Sequence, residues 1–206
     1  MGTTWRQLRL FTGLRPNSRI AADELNAKSL GGLMTIAERP TWRTAEHLLS
    51  TFDGGASELF VIDLPGSQLS HVIGVIASLP DVVVDVCAGA DVEPRAPDAE
   101  LLQRLQAPTA TESQHVLHSA HGTSDHLQIY IWTPRGAGPF DLEFVFWNDL
   151  TFPPDVDAAE LERRLRRLVE LADNCRAGSL ESRCILSTEH NVEPRELLTN
   201  SHVIIW

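Results

Sequence analysis

The chain has 206 residues, 43% of them apolar and 22% charged, which is ordinary globular usage and enough to bury one sizeable core. That composition excludes disorder, collagen and a disulfide-stapled mini-scaffold, and no run approaches the roughly 20 apolar residues of a membrane helix. The formal charge of −11 disfavours nucleic-acid binding, which needs clustered base, and no membrane partner is expected.

The acidity is concentrated. Asp81–Glu100 holds six carboxylates against Arg95, and Gly136–Glu162 holds seven against no base. Lys28 is the only lysine among 17 basic residues. Two acidic segments make a field with a direction, and a basic protein is the partner class that fits it. Met1–Arg6 has no apolar stretch after its first charge, so no secretory signal is expected and the cytoplasm is the expected compartment. There Cys87, Cys175 and Cys184 should be reduced thiols, although the last two flank a turn where they could approach each other.

Along the chain, Arg6–Phe11 alternates as a half-buried strand does, and Ser29–Glu38 could form another. Thr41–Phe52 spaces Trp42, Ala45, Leu48, Leu49 and Phe52 as a helix, stopped by Asp53-Gly54-Gly55. Glu58–Leu64 reads as a buried strand. Gln68–Leu79 reads as a helix ended by Pro80, and Val82–Ala88 as a further buried strand. This alternation predicts a βαβαβ half with a parallel sheet and right-handed crossovers. Residues 90–111 hold Pro94, Pro97 and Pro108 with a short helical patch at Asp98–Leu105, and are the expected seam within a single domain.

Beyond the seam a ββαββ half is expected. His126–Trp132 and Phe140–Trp147 alternate around a Gly/Pro turn, the pattern of an antiparallel hairpin. Asp157-Ala158-Ala159-Glu160 is a capping box opening a helix to about Cys175, with Leu161, Leu165, Leu168 and Ala172 inside and Gly178 as terminator. Arg183–Thr188 and His202–Trp206 are the closing strands. The fold expected is α/β or α+β, a mixed sheet with a parallel N-terminal half and an antiparallel C-terminal half, flanked by three to four helices.

Most catalytic patterns are missing. No G-x-S-x-G elbow, P-loop or G-x-G-x-x-G is found. His115, His118 and His121 would share one side of a helix, with His126 following, and could hold zinc or iron in a metal-dependent enzyme. The competing reading is a solvated loop or loose helical turn. Arg163, Arg164, Arg166 and Arg167 stand on one helix where Glu160–Arg164, Glu162–Arg166 and Arg166–Glu170 have i,i+4 spacing, which suits a salt-bridged surface better than a phosphate site.

The hairpin is the most informative feature. Leu127, Ile129 and Ile131 share one face with Leu142, Phe144 and Phe146, the expected core side. The opposite face collects Gln128, Tyr130 and Trp132 with Glu143, Val145 and Trp147. Large aromatics among polar groups suit a binding surface, unless the Asp157–Cys175 helix lies over them as a second core layer. The expected partner-binding residues are Tyr130, Trp132, Glu143, Trp147, Asp149 and Asp155. The function expected is a non-catalytic acidic binding protein of the bacterial cytoplasm, with no cofactor. It would engage a basic protein, such as a toxin domain, as inhibitors and immunity proteins of basic toxins do. The bacterial assignment rests on the preference for Arg over Lys.

Overall fold

The computed structural model describes residues 38–50, 55–80, 82–87, 90–96, 113–119, 127–133, 138–179, 181–188, 192–200 and 202–206, all within the compact unit Ile36–Trp206. The expected strand at Arg6–Phe11, all of Ser29–Glu38 but its last residue, and the helical patch at Asp98–Leu105 lie outside the described residues. The strands are β1 (Ala56–Leu64), β2 (Val82–Cys87), β3 (Ala90–Arg95), β4 (Ser113–Ser119), β5 (Leu127–Thr133), β6 (Phe140–Trp147), β7 (Arg183–Ser187) and β8 (Ile204–Ile205). Helices are α1 (Trp42–Leu49), α2 (Leu69–Ala77), α3 (Asn148–Thr151), α4 (Ala158–Arg176) and α5 (Pro194–Leu197).

The strands form one sheet in the order β3-β2-β4-β5-β6-β1-β7-β8, and every paired neighbour is antiparallel. The architecture is α+β, and the expected parallel N-terminal half is not formed. The physical reason is instructive. β1 and β2 point the same way, but β4, β5 and β6 stand between them, so α2 crosses over three strands. The unbroken apolar run of β1 reports burial on both faces, which a central antiparallel strand also has when both of its sides are covered. Burial does not report strand direction.

Two layers cover the sheet. On the inner face, α1, α2 and α4 pack on Leu59, Val61, Leu127, Ile129, Ile131, Leu142, Phe144 and Phe146, forming the main core. From α4, Leu161, Leu165, Leu168 and Ala172 enter it, as their spacing predicts, and Val169 and Cys175 enter with them. On the outer face, a smaller cluster joins Phe60, Ile62 and Ile185 to Leu197, with Val192, Leu198, Val203 and Ile205 around it. This strap, α5 with its flanks, covers β1, β7 and β8.

Local chemistry sets the ends. Asp157 Oδ1 accepts the Glu160 backbone N–H at 2.8 Å and opens α4. The reciprocal half of the expected box is replaced: the Glu160 side chain turns along the helix to Arg163 and Arg164. Ala177 adopts the left-handed conformation at the C-cap (φ 48°), and Gly178 follows at φ 77°, so the stop begins one residue before the expected glycine. Glu162 Oε2 accepts the Trp42 N–H at 2.6 Å and so caps α1 from a different helix. Inside the expected seam, Ala90–Arg95 is a strand at the sheet edge. Pro94 is tolerated there because an edge strand leaves one row of amides without a ladder partner. The strands before and after residues 97–112, β3 and β4, belong to the same sheet.

Candidate functional site

The outer face of β5 and β6 sets Tyr130, Trp132 and Trp147 on the same side as Asp141 and Glu143. Antiparallel pairing sets Tyr130 opposite Glu143, Trp132 opposite Asp141 and Gln128 opposite Val145. On the other side of β6, Phe60 faces Glu143 and Glu58 faces Val145. Tyr130 and Trp132, two residues apart, lie nearly parallel with ring centroids 6.1 Å apart and 12° between planes. The Trp132 Nε1–H donates to Glu143 Oε2 at 2.7 Å, and the Tyr130 hydroxyl donates to Gln128 Oε1 at 2.9 Å. Glu143 and Glu58 are each only 6% exposed, whereas both rings remain partly exposed. Burying carboxylates on a sheet face is costly unless they are hydrogen-bonded, and Trp132 meets part of that need for Glu143.

None of α1, α2 or α4 lies over this face. The Asp157–Cys175 helix packs on the other side of the sheet, so Trp132 and Trp147 are half-buried rather than core residues.

At one end the site meets the strap. β1 carries an irregularity between Val61 and Leu64, where Asp63 turns left-handed at φ 59°. Its N–H donates to Asp141 Oδ1 at 2.9 Å, and its carbonyl accepts the Ser182 hydroxyl at 3.1 Å. Arg195 of α5 then joins two strands: Nη2 donates to Asp63 Oδ1 at 2.7 Å and Nη1 to Asp141 Oδ2 at 3.0 Å. Glu193 Oε1 also accepts from Nη1, at 3.3 Å. Burial raises the Asp141 carboxyl above the usual aspartate range; the Asp63 N–H and the Arg195 charge pull it back only in part. Arg195 is pushed further up by the two carboxylates, against the opposing effect of burial.

The expected binding residues separate into groups. Tyr130, Trp132 and Glu143 come together. Trp147 shares their face but lies six residues beyond Asp141 on β6, roughly 20 Å along the strand. Asp149 sits in α3 and Asp155 in the loop to α4; both are exposed and lie beyond the sheet. Leu150, the large apolar residue most exposed among those described, stands beside Asp149.

His115 and His118 are not on a helix. His115 and His118 belong to β4, where His115 pairs with Ile131 and His118 with Gln128, register positions on opposite faces. A shared helical side is therefore not available to them, because strand periodicity is two. His121 and His126 lie outside the described residues, among which no group of three or more His, Cys, Asp or Glu is placed to hold a metal.

Elsewhere the surface follows its spacing. Glu160 pairs with Arg164 at 2.8 Å and Glu162 with Arg166 at 3.7 Å, the salt-bridged helix expected. Cys175 and Cys184 are free and buried. Burial pushes both thiols up to about 12, the neighbouring Cys184 adding to the effect at Cys175.

Sequence reasoning missed Glu58, Asp63 and Arg195. The signal for Glu58 is parity, since it shares the alternation of Phe60 and Ile62 and so falls on the outer face. Nothing local signals Asp63 and Arg195, which are 132 residues apart.

No protein-family model, no curated protein and no solved structure matches this chain. Among the described residues no helix is long and apolar enough to cross a membrane.

Proposed function

We propose that this chain is a non-catalytic binding protein of the bacterial cytoplasm that neutralises a basic protein, such as a toxin domain, by direct contact through the outer face of β5 and β6. The observation that carries the reading is the Tyr130–Trp132 pair standing beside Glu143 on a face that the helical layer leaves uncovered. Aromatic anchors supply desolvated contact area, and the surrounding carboxylates supply attraction at a distance. The seven carboxylates of residues 136–162 include Asp141 and Glu143 on the face and the exposed Asp149 and Asp155 beyond its end. An electrostatic funnel of this kind raises the association rate at low salt more than it raises the final affinity.

The test is binding kinetics against the purified product of the gene immediately upstream, at low and high salt. Trp132→Ala combined with Tyr130→Ala should mainly speed dissociation, by about 30-fold for an anchor worth ~2 kcal/mol. Asp149→Asn with Asp155→Asn should mainly slow association at low salt and have little effect at high salt. The reading is lost if that product does not bind, or binds with kinetics that neither pair of substitutions alters.

A further inference from the structure

Resting on the basic-partner reading, we infer that the Asp63 and Asp141 carboxylates form a seat for one arginine of the partner, which Arg195 of the strap fills until the partner displaces it. The seat adjoins the proposed surface, because Asp141 is the register partner of Trp132 on β5.

The seat is shaped for a guanidinium and already holds one. Arg195 reaches both oxygens of Asp141, Nη1 to Oδ2 at 3.0 Å and Nη2 to Oδ1 at 3.4 Å, while Nη2 also donates to Asp63 Oδ1 at 2.7 Å. A planar fork supplies that geometry and a single ammonium does not. The carboxylates themselves are placed by bonds that leave Arg195 out. The Asp63 N–H donates to Asp141 Oδ1 at 2.9 Å, and the Ser182 hydroxyl donates to the Asp63 carbonyl at 3.1 Å. Asp63 holds this position in the left-handed region, at φ 59°. The seat is therefore preorganised independently of its occupant.

The occupant is held more loosely than the seat. α5 docks through Pro194 and Leu197, and Leu197 joins Phe60, Ile62 and Ile185 in the outer cluster. Arg195 contributes a flexible side chain that is 46% exposed, against 15% for Asp141. Glu193, its third carboxylate, lies on the strap itself and so does not tie the guanidinium to the sheet. Rotating the Arg195 side chain outward empties the seat while the strap stays in place. A largely buried carboxylate such as Asp141 then demands a cation, and the partner's arginine meets that demand.

Exchanging one guanidinium for another keeps the same set of hydrogen bonds, so the device adds selectivity more than affinity. A partner with arginine at this point displaces Arg195, and one with lysine leaves it in place. The apparent affinity falls by the fraction of time for which the seat is open.

The experiment follows the Asp63 amide of the ¹⁵N-labelled full chain by NMR, because that N–H bonds to Asp141 within the seat. The probes are two short peptides alike except for one arginine or lysine. Arg195→Ala should bind the arginine peptide with a saturable shift at Asp63, and about tenfold more tightly than wild type if Arg195 leaves the seat open about a tenth of the time. The lysine peptide should bind Arg195→Ala about fivefold more weakly, the factor for one hydrogen bond lost. Adding Asp63→Asn to Arg195→Ala should weaken the arginine peptide by about tenfold, since a charged acceptor is lost. Arg163→Ala on α4 changes the net charge equally and should bind the arginine peptide as wild type does. Should Arg195→Ala fail to fold, Arg195→Lys keeps the charge without the fork and should still bind that peptide more tightly than wild type.

Equal affinity of wild type and Arg195→Ala for the arginine peptide overturns the inference. So does equal binding of the two peptides by Arg195→Ala, or no saturable shift at Asp63. The basic-partner reading is tested separately. If the upstream gene's product binds with kinetics that Asp63→Asn and Arg195→Ala leave unchanged, the seat falls and that reading stands. If the product does not bind while Arg195→Ala takes the arginine peptide at Asp63, that reading falls and the seat stands.

Discussion

The two faces of the sheet share one alternating code and have opposite fates. On β5 and β6 the inner set, Leu127, Ile129, Ile131, Leu142, Phe144 and Phe146, is at most 3% exposed beneath the helices. Of the outer set, Tyr130, Trp132, Val145 and Trp147 stay half-exposed although three of them are large aromatics, and Glu143 among them is buried. One strand away, β1 is buried on both faces because the strap adds Leu197 over Phe60 and Ile62. Alternation therefore determines which residues travel together, whereas the placement of separate segments determines what covers them. The outer face of β5 and β6 keeps its aromatics in contact with water because α4 packs on the other side.

The largest expected effect tests that asymmetry directly. Leu165, 2% exposed inside the main core, should cost about 2–5 kcal/mol when replaced by alanine. Val145→Ala on the half-exposed outer face should cost about 1 kcal/mol or less. Urea unfolding of the two variants measures the difference. Equal costs would mean that the two faces are buried alike, and the binding surface proposed here would be core instead.

A smaller effect concerns the clip that holds the strap. Arg195→Ala removes the one described cation shared by Asp63 and Asp141 and leaves the largely buried Asp141 without its ion pair. Losing one member of a buried pair is severe, but the Arg195 side chain is 46% exposed and solvent screens much of the interaction. A loss of about 1 kcal/mol is expected, accompanied by faster amide exchange at Ile185 and Ile205 beneath the strap, with Ile129 and Ile131 unchanged. Exchange that quickens equally on both faces would show that the strap and the main core open together.

These elements differ in how much of them local sequence can encode. The β5–β6 hairpin, the inner stripe of α4 and the Asp157 cap are encoded within a few residues, so spacing suffices to find them. Strand order is not: the run Val82–Cys87 looks the same beside β1 as it does three strands away, and only the insertion of β4, β5 and β6 decides the matter. His115 and His118 were legible as titratable and metal-binding types, but their relation to each other depends on whether the period is two or 3.6. The Gly and Ser residues that follow them favoured a loop or helical turn, and β4 formed because strands on both sides supply its ladder. The Tyr130–Glu143 neighbourhood was legible because one hairpin builds it. The Asp63–Asp141–Arg195 network draws on three distant segments and leaves no local trace.

The smallest expected effect is a slope, and its sign distinguishes burial from ion pairing at the boundary between strap and aromatic site. Burial is the largest influence on Asp141 and raises its carboxyl above the value of about 3.9 that it has in an unfolded chain. A folded state that holds a proton more tightly than the unfolded one gains stability as pH falls through the raised value, and that gain is complete below the unfolded value. Glu160 should behave oppositely. Its hydrogen bond with Arg164 lowers its carboxyl, so its contribution is present above the usual glutamate range and is lost as pH falls through the lowered value. Asp141→Asn abolishes the first titration and leaves the second. Wild-type stability minus that of Asp141→Asn should therefore increase from pH 7 to pH 4 in urea titrations, whereas wild type minus Glu160→Gln should decrease. If the first difference also decreases toward acid, the Arg195 charge outweighs burial at Asp141. The strap would then be held to the aromatic face chiefly by an ion pair, and salt should loosen it.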